Sequence, residues 1–190
     1  MHVKIEANKS SRIEGTRTTV EEDLLDVTDI NPEKRDDWEE VQNYVKATNY
    51  GVERIRNGFP VCTRLIREIH EILMQGVRGE YDGNGRIERL LIPLYIQSKG
   101  MLEKSCLYIS DYIERNKDTY YDMLTRVRTY NDMIGWIKFF LEAVIETSKT
   151  AKEKFRNVVE LTMEMDKVIM ELIYFFNKIL YHEKIEKFIL

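Results

Sequence analysis

The stretch Tyr81-Asp82-Gly83-Asn84-Gly85-Arg86-Ile87-Glu88-Arg89 gathers charge and backbone freedom immediately ahead of the apolar Leu90-Leu91-Ile92. Two glycines flanking an asparagine permit positive φ and a close backbone approach, which predicts a tight loop. The residues after it read as a helix. A glycine-rich loop that opens a helix aims several N–H groups at one point, and the helix dipole adds positive potential there. The backbone of Gly83, Asn84 and Gly85 would then cradle phosphate oxygens. Arg86 and Arg89, three apart on one face of the first turn, would supply planar donors to the same anion. Asp82 offers a hard oxygen ligand suited to Mg²⁺ arriving with a nucleotide. The chemistry these residues predict is polyphosphate binding.

Two other readings start from the same residues. The plain one is an Asp-Gly/Asn-Gly turn between helices, with its arginines in solvent. The other is a calcium loop, in which Glu80, Asp82, Asn84, Gly85 and Ile87 take EF-hand positions 1, 3, 5, 6 and 8. Position 12 of such a loop is then Leu91, where the bidentate Glu belongs, and Arg86 and Arg89 bring positive charge toward the cation.

Beyond the loop, the residues resemble the Fic family of nucleotidyltransferases, whose signature is H-P-F-x-[DE]-G-N-G-R-x-x-R. Tyr81 to Arg89 match it from the x onward, and the likeness continues through Leu90-Leu91-Ile92-Pro93-Leu94-Tyr95, Ser110-Asp111-Tyr112 and Gly135-Trp136-Ile137. The resemblance implies an all-α core and AMP transfer from ATP to protein hydroxyls, with Mg²⁺ on Asp82 and phosphates on Gly83, Asn84, Gly85, Arg86 and Arg89. It also gives meaning to Ser10…Glu14-Gly15, which fits [ST]-x-x-x-E-[GN]. In Fic proteins that pattern marks an inhibitory helix whose Glu pairs with the second motif arginine, here Arg89. A carboxylate there cancels the guanidinium's free charge and fills space a phosphate needs. One departure matters: Arg78, Gly79 and Glu80 stand where the family has His-Pro-Phe, and the flap that holds the target segment is missing. The resemblance therefore implies impaired transfer, with a non-catalytic nucleotide-binding or helical interaction module as the alternative.

The elements that must position these residues follow from periodicity. Residues 8–25 are polar and read as loop with a short capped helix. A linker at Thr28–Glu33 carries a capping signal near Asp36 or Asp37. One helix then shows Val41, Tyr44, Val45, Thr48, Val52 and Ile55 on a stripe, ending by Asn57-Gly58-Phe59-Pro60. A second carries Leu65, Ile66, Ile69, Leu73 and Val77 inward. His70 within it reads as a packed or half-exposed helix residue. Ile87 to Lys99 is apolar nearly all round, the mark of a central helix, with Pro93 set to kink it and Gly100 to end it. Ser110 is the expected cap of the next helix, whose inner face is Tyr112, Ile113, Tyr120, Leu124 and Val127. From Ile134 a period near 3.5 runs through Ile137, Leu141, Val144, Ala151, Phe155, Val158, Met165, Ile169, Leu172, Phe176 and Ile179. It predicts long helices packed along a seam. The parts expected are an N-terminal segment 1–35, a helical pair 36–80, a core 81–150 and C-terminal helices 151–190.

Composition bounds the partners. A length of 190 residues suffices for one good-sized core. The net charge of −4 gives no general attraction to nucleic acid or an anionic membrane. Cys62 and Cys106 have neither metal nor redox spacing, which suits reduced thiols. Without an apolar leader or a spanning run, the expectation is a cytoplasmic chain that meets ATP and a target protein. The C-terminal seam offers a homodimer surface, in a region that leads to a winged-helix DNA-binding domain in many relatives.

Overall fold

The structure, a computed structural model, describes residues 2–76, 84–102 and 107–189. Among these residues there are seven α-helices and no strand, so the fold is all-α. The helices are α1 (His2–Glu14), α2 (Arg35–Arg56), α3 (Thr63–Leu73), α4 (Asn84–Ser98), α5 (Ile109–Arg115), α6 (Lys117–Tyr130) and α7 (Met133–Ile189). The chain divides into two units, Met1–Ser148 and Lys149–Leu190.

Two apolar clusters build the first unit. Val41, Tyr44 and Ala47 of α2, Leu65, Ile69 and Leu73 of α3, and Ile87, Leu90 and Leu94 of α4 meet in one, joined by Ala7 of α1. These are the stripes the sequence spacing predicts for α2, α3 and α4. Ile13 of α1, Ile109 and Ile113 of α5, Tyr120 of α6, and Phe139 and Ala143 of α7 make the other. Its rings pack tilted or stacked, with the Tyr120–Phe139 and Trp136–Phe139 centroids 6.4 and 6.0 Å apart. Helix α1 thus reaches both clusters, and it does so with a polar face.

That polar face explains why residues 8–25 do not read as a helix from sequence. Glu6, Asn8, Ser10 and Ser11 are all buried, though none is apolar. Each is tolerated because it finds a partner or is small enough to let helices close. Asn8 donates through Nδ2 to the Thr18 carbonyl at 2.9 Å and to Asp23 Oδ2 at 2.7 Å. Lys4 Nζ and Gln42 Nε2 both donate to the Asp23 carbonyl, each at 3.0 Å. This knot ties α1, the 3₁₀ turn Glu22–Leu24 and α2 together. The expected loop is confined to the residues between Gly15 and that turn.

Three local expectations are corrected. Neither Asp36 nor Asp37 caps α2. The 3₁₀ turn Pro32–Lys34 runs directly into it, started by Asn31, whose Oδ1 accepts from the Glu33 N–H at 3.0 Å. Asp37 instead accepts from the Arg17 N–H at 2.8 Å. Ser110 does not cap α5 either: it lies inside the helix, and its hydroxyl and N–H donate to Glu6 at 2.5 and 3.4 Å. A carboxylate brought in from α1 thus serves the N-terminus of α5. The helix expected from Ser110 onward is two helices. Asn116 breaks it by donating its side-chain amide to the Tyr112 carbonyl at 2.9 Å, in competition with the backbone.

Helix α4 ends as expected, with Gly100 at φ +69 and its N–H on the Gln97 carbonyl at 2.9 Å. Helix α7 is a single helix where several were expected. Its sequence holds no proline and no glycine after Gly135, so nothing interrupts the ladder. Among the described residues, no helix is long and apolar enough to cross a membrane.

Candidate functional site

The site forms where the C-terminal turn of α1 meets the N-terminal turn of α4. Helix α1 stops because Gly15 adopts φ +110, a conformation that strains any side-chain-bearing residue. Glu14 is therefore the last helical residue. Its carboxylate lies over the first turn of α4 at Gly85. A Cβ at position 85 would collide with Glu14 Oε1, and it would stand 2.9 Å from Arg89 Nη1. Glycine is required at 85 for that close approach. The expected positive φ is not found there, since Asn84 and Gly85 are already helical.

Arg89 is buried to 1% exposure, hydrogen-bonded to α1 and also to Tyr120 of α6. Its Nε donates to Ser10 Oγ at 2.9 Å, and its Nη2 donates to the Ser10 carbonyl at 3.0 Å and to Glu14 Oε1 at 2.6 Å. The contact expected between Glu14 and Arg89 is present. Burial alone would lower the Arg89 pKa, but the adjacent Glu14 charge outweighs it and the net shift is upward. The guanidinium is thus a fixed cation. Its Nη1 is buried without a hydrogen-bond partner.

Arg86 is held by a different helix from Arg89. Sequence spacing put both arginines on one anion, yet Arg86 turns to α2, where Nη1 donates to Glu40 Oε2 at 2.6 Å. It too is buried to 1%, whereas the Glu40 side chain is 21% exposed. Each motif arginine is therefore matched by one carboxylate from a different helix. Glu40 was not foreseen, because an acidic residue one position before Val41 looks like any solvated helix residue.

Glu6, the first buried residue of α1 and one helical turn ahead of Ser10, was also missed. Burial pushes its pKa up to about 7, against the lowering effect of its bonds from Ser110. Arg89 further borders a cavity of about 50 Å³, lined among others by Glu88, Ile92, Tyr120, Trp136 and Phe139. That is space on the scale of water, not of a nucleoside. Asp82 and Gly83, the proposed metal ligand and part of the phosphate cradle, lie outside the described residues, as do Arg78, Gly79 and Glu80. Among the described residues, no group of three or more His, Cys, Asp or Glu side chains stands together as a metal set.

Residues 1–53 match the family model described as Fic/DOC family N-terminal. The N-terminal part of the chain is similar to that family's N-terminal region. The matched part of the chain contains α1 and most of α2, and so Ser10, Glu14, Gly15 and Glu40. Arg86 and Arg89 lie beyond it. The family match and the glycine-rich motif are therefore independent observations, and they meet at the Glu14–Arg89 contact.

Proposed function

We propose that this protein binds ATP with Mg²⁺ at the N-terminus of α4, that Glu14 restrains the binding, and that AMP transfer from the bound nucleotide is severely impaired. The observation that carries the reading is the Glu14–Arg89 pair at 2.6 Å, in which Arg89 is buried and Glu14 partly open. Arg89 Nη1, buried and unpartnered, fits a further acceptor oxygen such as a phosphate provides. The space a phosphate would take beside Gly85 is filled by the Glu14 carboxylate. Withdrawal of that carboxylate opens both the charge and the volume. Asp82 is the residue suited to Mg²⁺, by its type and its place in the motif. The metal would neutralise phosphate charge and orient the nucleotide.

The chain's own residues bind and orient; none takes a proton from an attacking hydroxyl. Arg78-Gly79-Glu80 offers no imidazole at the family's base position, and the other histidines, His2, His70 and His182, belong to other parts of the chain. Removing a general base typically costs about 10²–10⁴ in rate. Nucleotide binding without appreciable transfer is the outcome we expect. Equilibrium binding of ATP–Mg²⁺ to wild type and Arg89→Ala tests the first part, and transfer of radiolabelled AMP tests the second. Weaker binding by Arg89→Ala and background transfer by wild type support the proposal. Unchanged binding, or robust transfer that Asp82→Ala abolishes, overturns it.

A further inference from the structure

Something must hold Glu14 over Gly85, and α1 carries a second set of polar contacts that can do it. Glu114, in the last turn of α5, takes two cations from α1: Lys9 Nζ lies 2.7 Å from its Oε2, and Arg12 Nε lies 2.8 Å from its Oε1. Lys9 and Arg12 are three apart and so share one face of the helix. Lys9 also stands 3.6 Å from Asp111 Oδ1. We propose, on the reading that Glu14 restrains nucleotide binding, that Glu114 is a positioning residue: it fixes the rotation of α1 about its axis and thereby keeps Glu14 on Arg89.

The apolar contact between the two helices does not set that rotation by itself. Ile13 packs with Ile109 and Ile113, and apolar burial has no preferred direction. Paired charges do. Residues two apart in a helix point roughly 160° away from each other, so Arg12 and Glu14 leave α1 on different sides. Helix α1 is thus gripped twice near its end, by Glu114 of α5 and by Arg89 of α4. A turn of α1 that releases one grip disturbs the other.

The local stability of α5 does not account for Glu114. A carboxylate in the last turn of a helix meets the negative end of its dipole, and α5 has only seven residues. What favours the charge there is the pair of cations that α1 brings. The Glu114 side chain is 16% exposed and that of Arg12 46%, which places the clip at the rim of the fold. A pair so placed adjusts an equilibrium rather than holding the core together.

Calorimetric titration of ATP–Mg²⁺ into the full chain tests the proposal through a sign. Removing a cation from the neighbourhood of an anion site weakens binding by charge alone. Arg12→Gln and Lys9→Gln should instead tighten it, each by about threefold, because partly open pairs shift an equilibrium by up to about fivefold. Glu114→Gln should tighten it at least as much. In the Glu14→Gly background none of the three should tighten binding further, since no carboxylate is left to position. Weaker or unchanged binding by Arg12→Gln overturns the proposal, as does a gain for Glu114→Gln that persists without Glu14. Should Glu14→Gly itself fail to tighten binding, the restraint falls and its positioning with it; a gain there without one in Arg12→Gln removes the role of Glu114 alone. Amide hydrogen exchange of the nucleotide-free chain gives a readout independent of ATP. Arg12→Gln and Glu114→Gln should each speed exchange in the last turn of α1 by about threefold or more and leave α2 and α3 unchanged. Equal protection of α1 overturns the proposal, and so does a loss of protection throughout the first unit.

Discussion

At the residue scale, the site works by matching buried cations with carboxylates from different helices. Gly85 is the position where the match is tightest, because Glu14 occupies the volume of a side chain. Gly85→Ala should displace Glu14 and destabilise the protein by about 1–3 kcal/mol, the usual cost of overpacking. Thermal unfolding measures the loss, and a Tm equal to wild type would mean the two helices are not that close. Glu6 gives a second test, of a different kind. Its folded pKa of about 7 lies above the ordinary glutamate value of 4.5, so between those values the folded state holds a proton that the unfolded state has lost. Stability from this group is therefore full below about pH 4.5 and falls as pH rises through about 7. A shift of this size corresponds to roughly 3 kcal/mol. Asp23, also raised by burial first and foremost, adds in the same direction. Glu6→Gln should remove most of the decline between pH 4.5 and 7 while keeping an acceptor for the Ser110 hydroxyl. Parallel pH profiles for wild type and variant would contradict the assignment.

At the scale of elements, α4 is pinned at its first turn from two sides, by α1 through Arg89 and by α2 through Arg86. Glu40→Ala leaves Arg86 buried without its partner carboxylate. The expected cost is about 3 kcal/mol, the low end for breaking a buried pair because the Glu40 side is partly open. Urea unfolding of Glu40→Ala beside Glu40→Gln checks it, with the glutamine variant losing less. The apolar elements were legible in the sequence because their stripes keep helical spacing: Val41, Tyr44, Leu65, Ile69, Leu73, Leu90 and Leu94 are all core. Helix α1 was not, since its buried face is Glu6, Asn8, Ser10 and Ser11, and periodicity in hydrophobicity says nothing about polar residues that close against other helices. Ser110 and Asp37 were assigned to local caps for the same reason. Each is spent on a partner far away in sequence, which no local rule contains. Of the site, Glu14 and Arg89 could be joined through the motif resemblance, whereas the pairing of Arg86 with Glu40 was not foreseen because Glu40 belongs to no motif.

For the whole molecule, the likeness of residues 1–53 to Fic proteins and the lack of a histidine among Arg78-Gly79-Glu80 lead in different directions, and both have measurable outcomes. Incubation with radiolabelled ATP–Mg²⁺ and a protein acceptor should leave label transfer at background for wild type and for Glu14→Gly alike, since releasing the restraint does not create a base. Transfer that rises in Glu14→Gly would place a proton acceptor in the chain that Arg78-Gly79-Glu80 does not suggest. The central claim, however, concerns binding: Glu14 competes with phosphate for Arg89. A charge-assisted pair of this kind is worth on the order of 1.5–3 kcal/mol when sheltered. Each 1.4 kcal/mol released is about a tenfold gain in affinity. The measurement is calorimetric titration of ATP–Mg²⁺ into wild type, Glu14→Gly, Arg89→Ala and the double variant. The account predicts tighter binding by Glu14→Gly, weaker binding by Arg89→Ala, and no further effect of the Glu14 change once Arg89 is gone. Equal affinity for folded wild type and Glu14→Gly would contradict it.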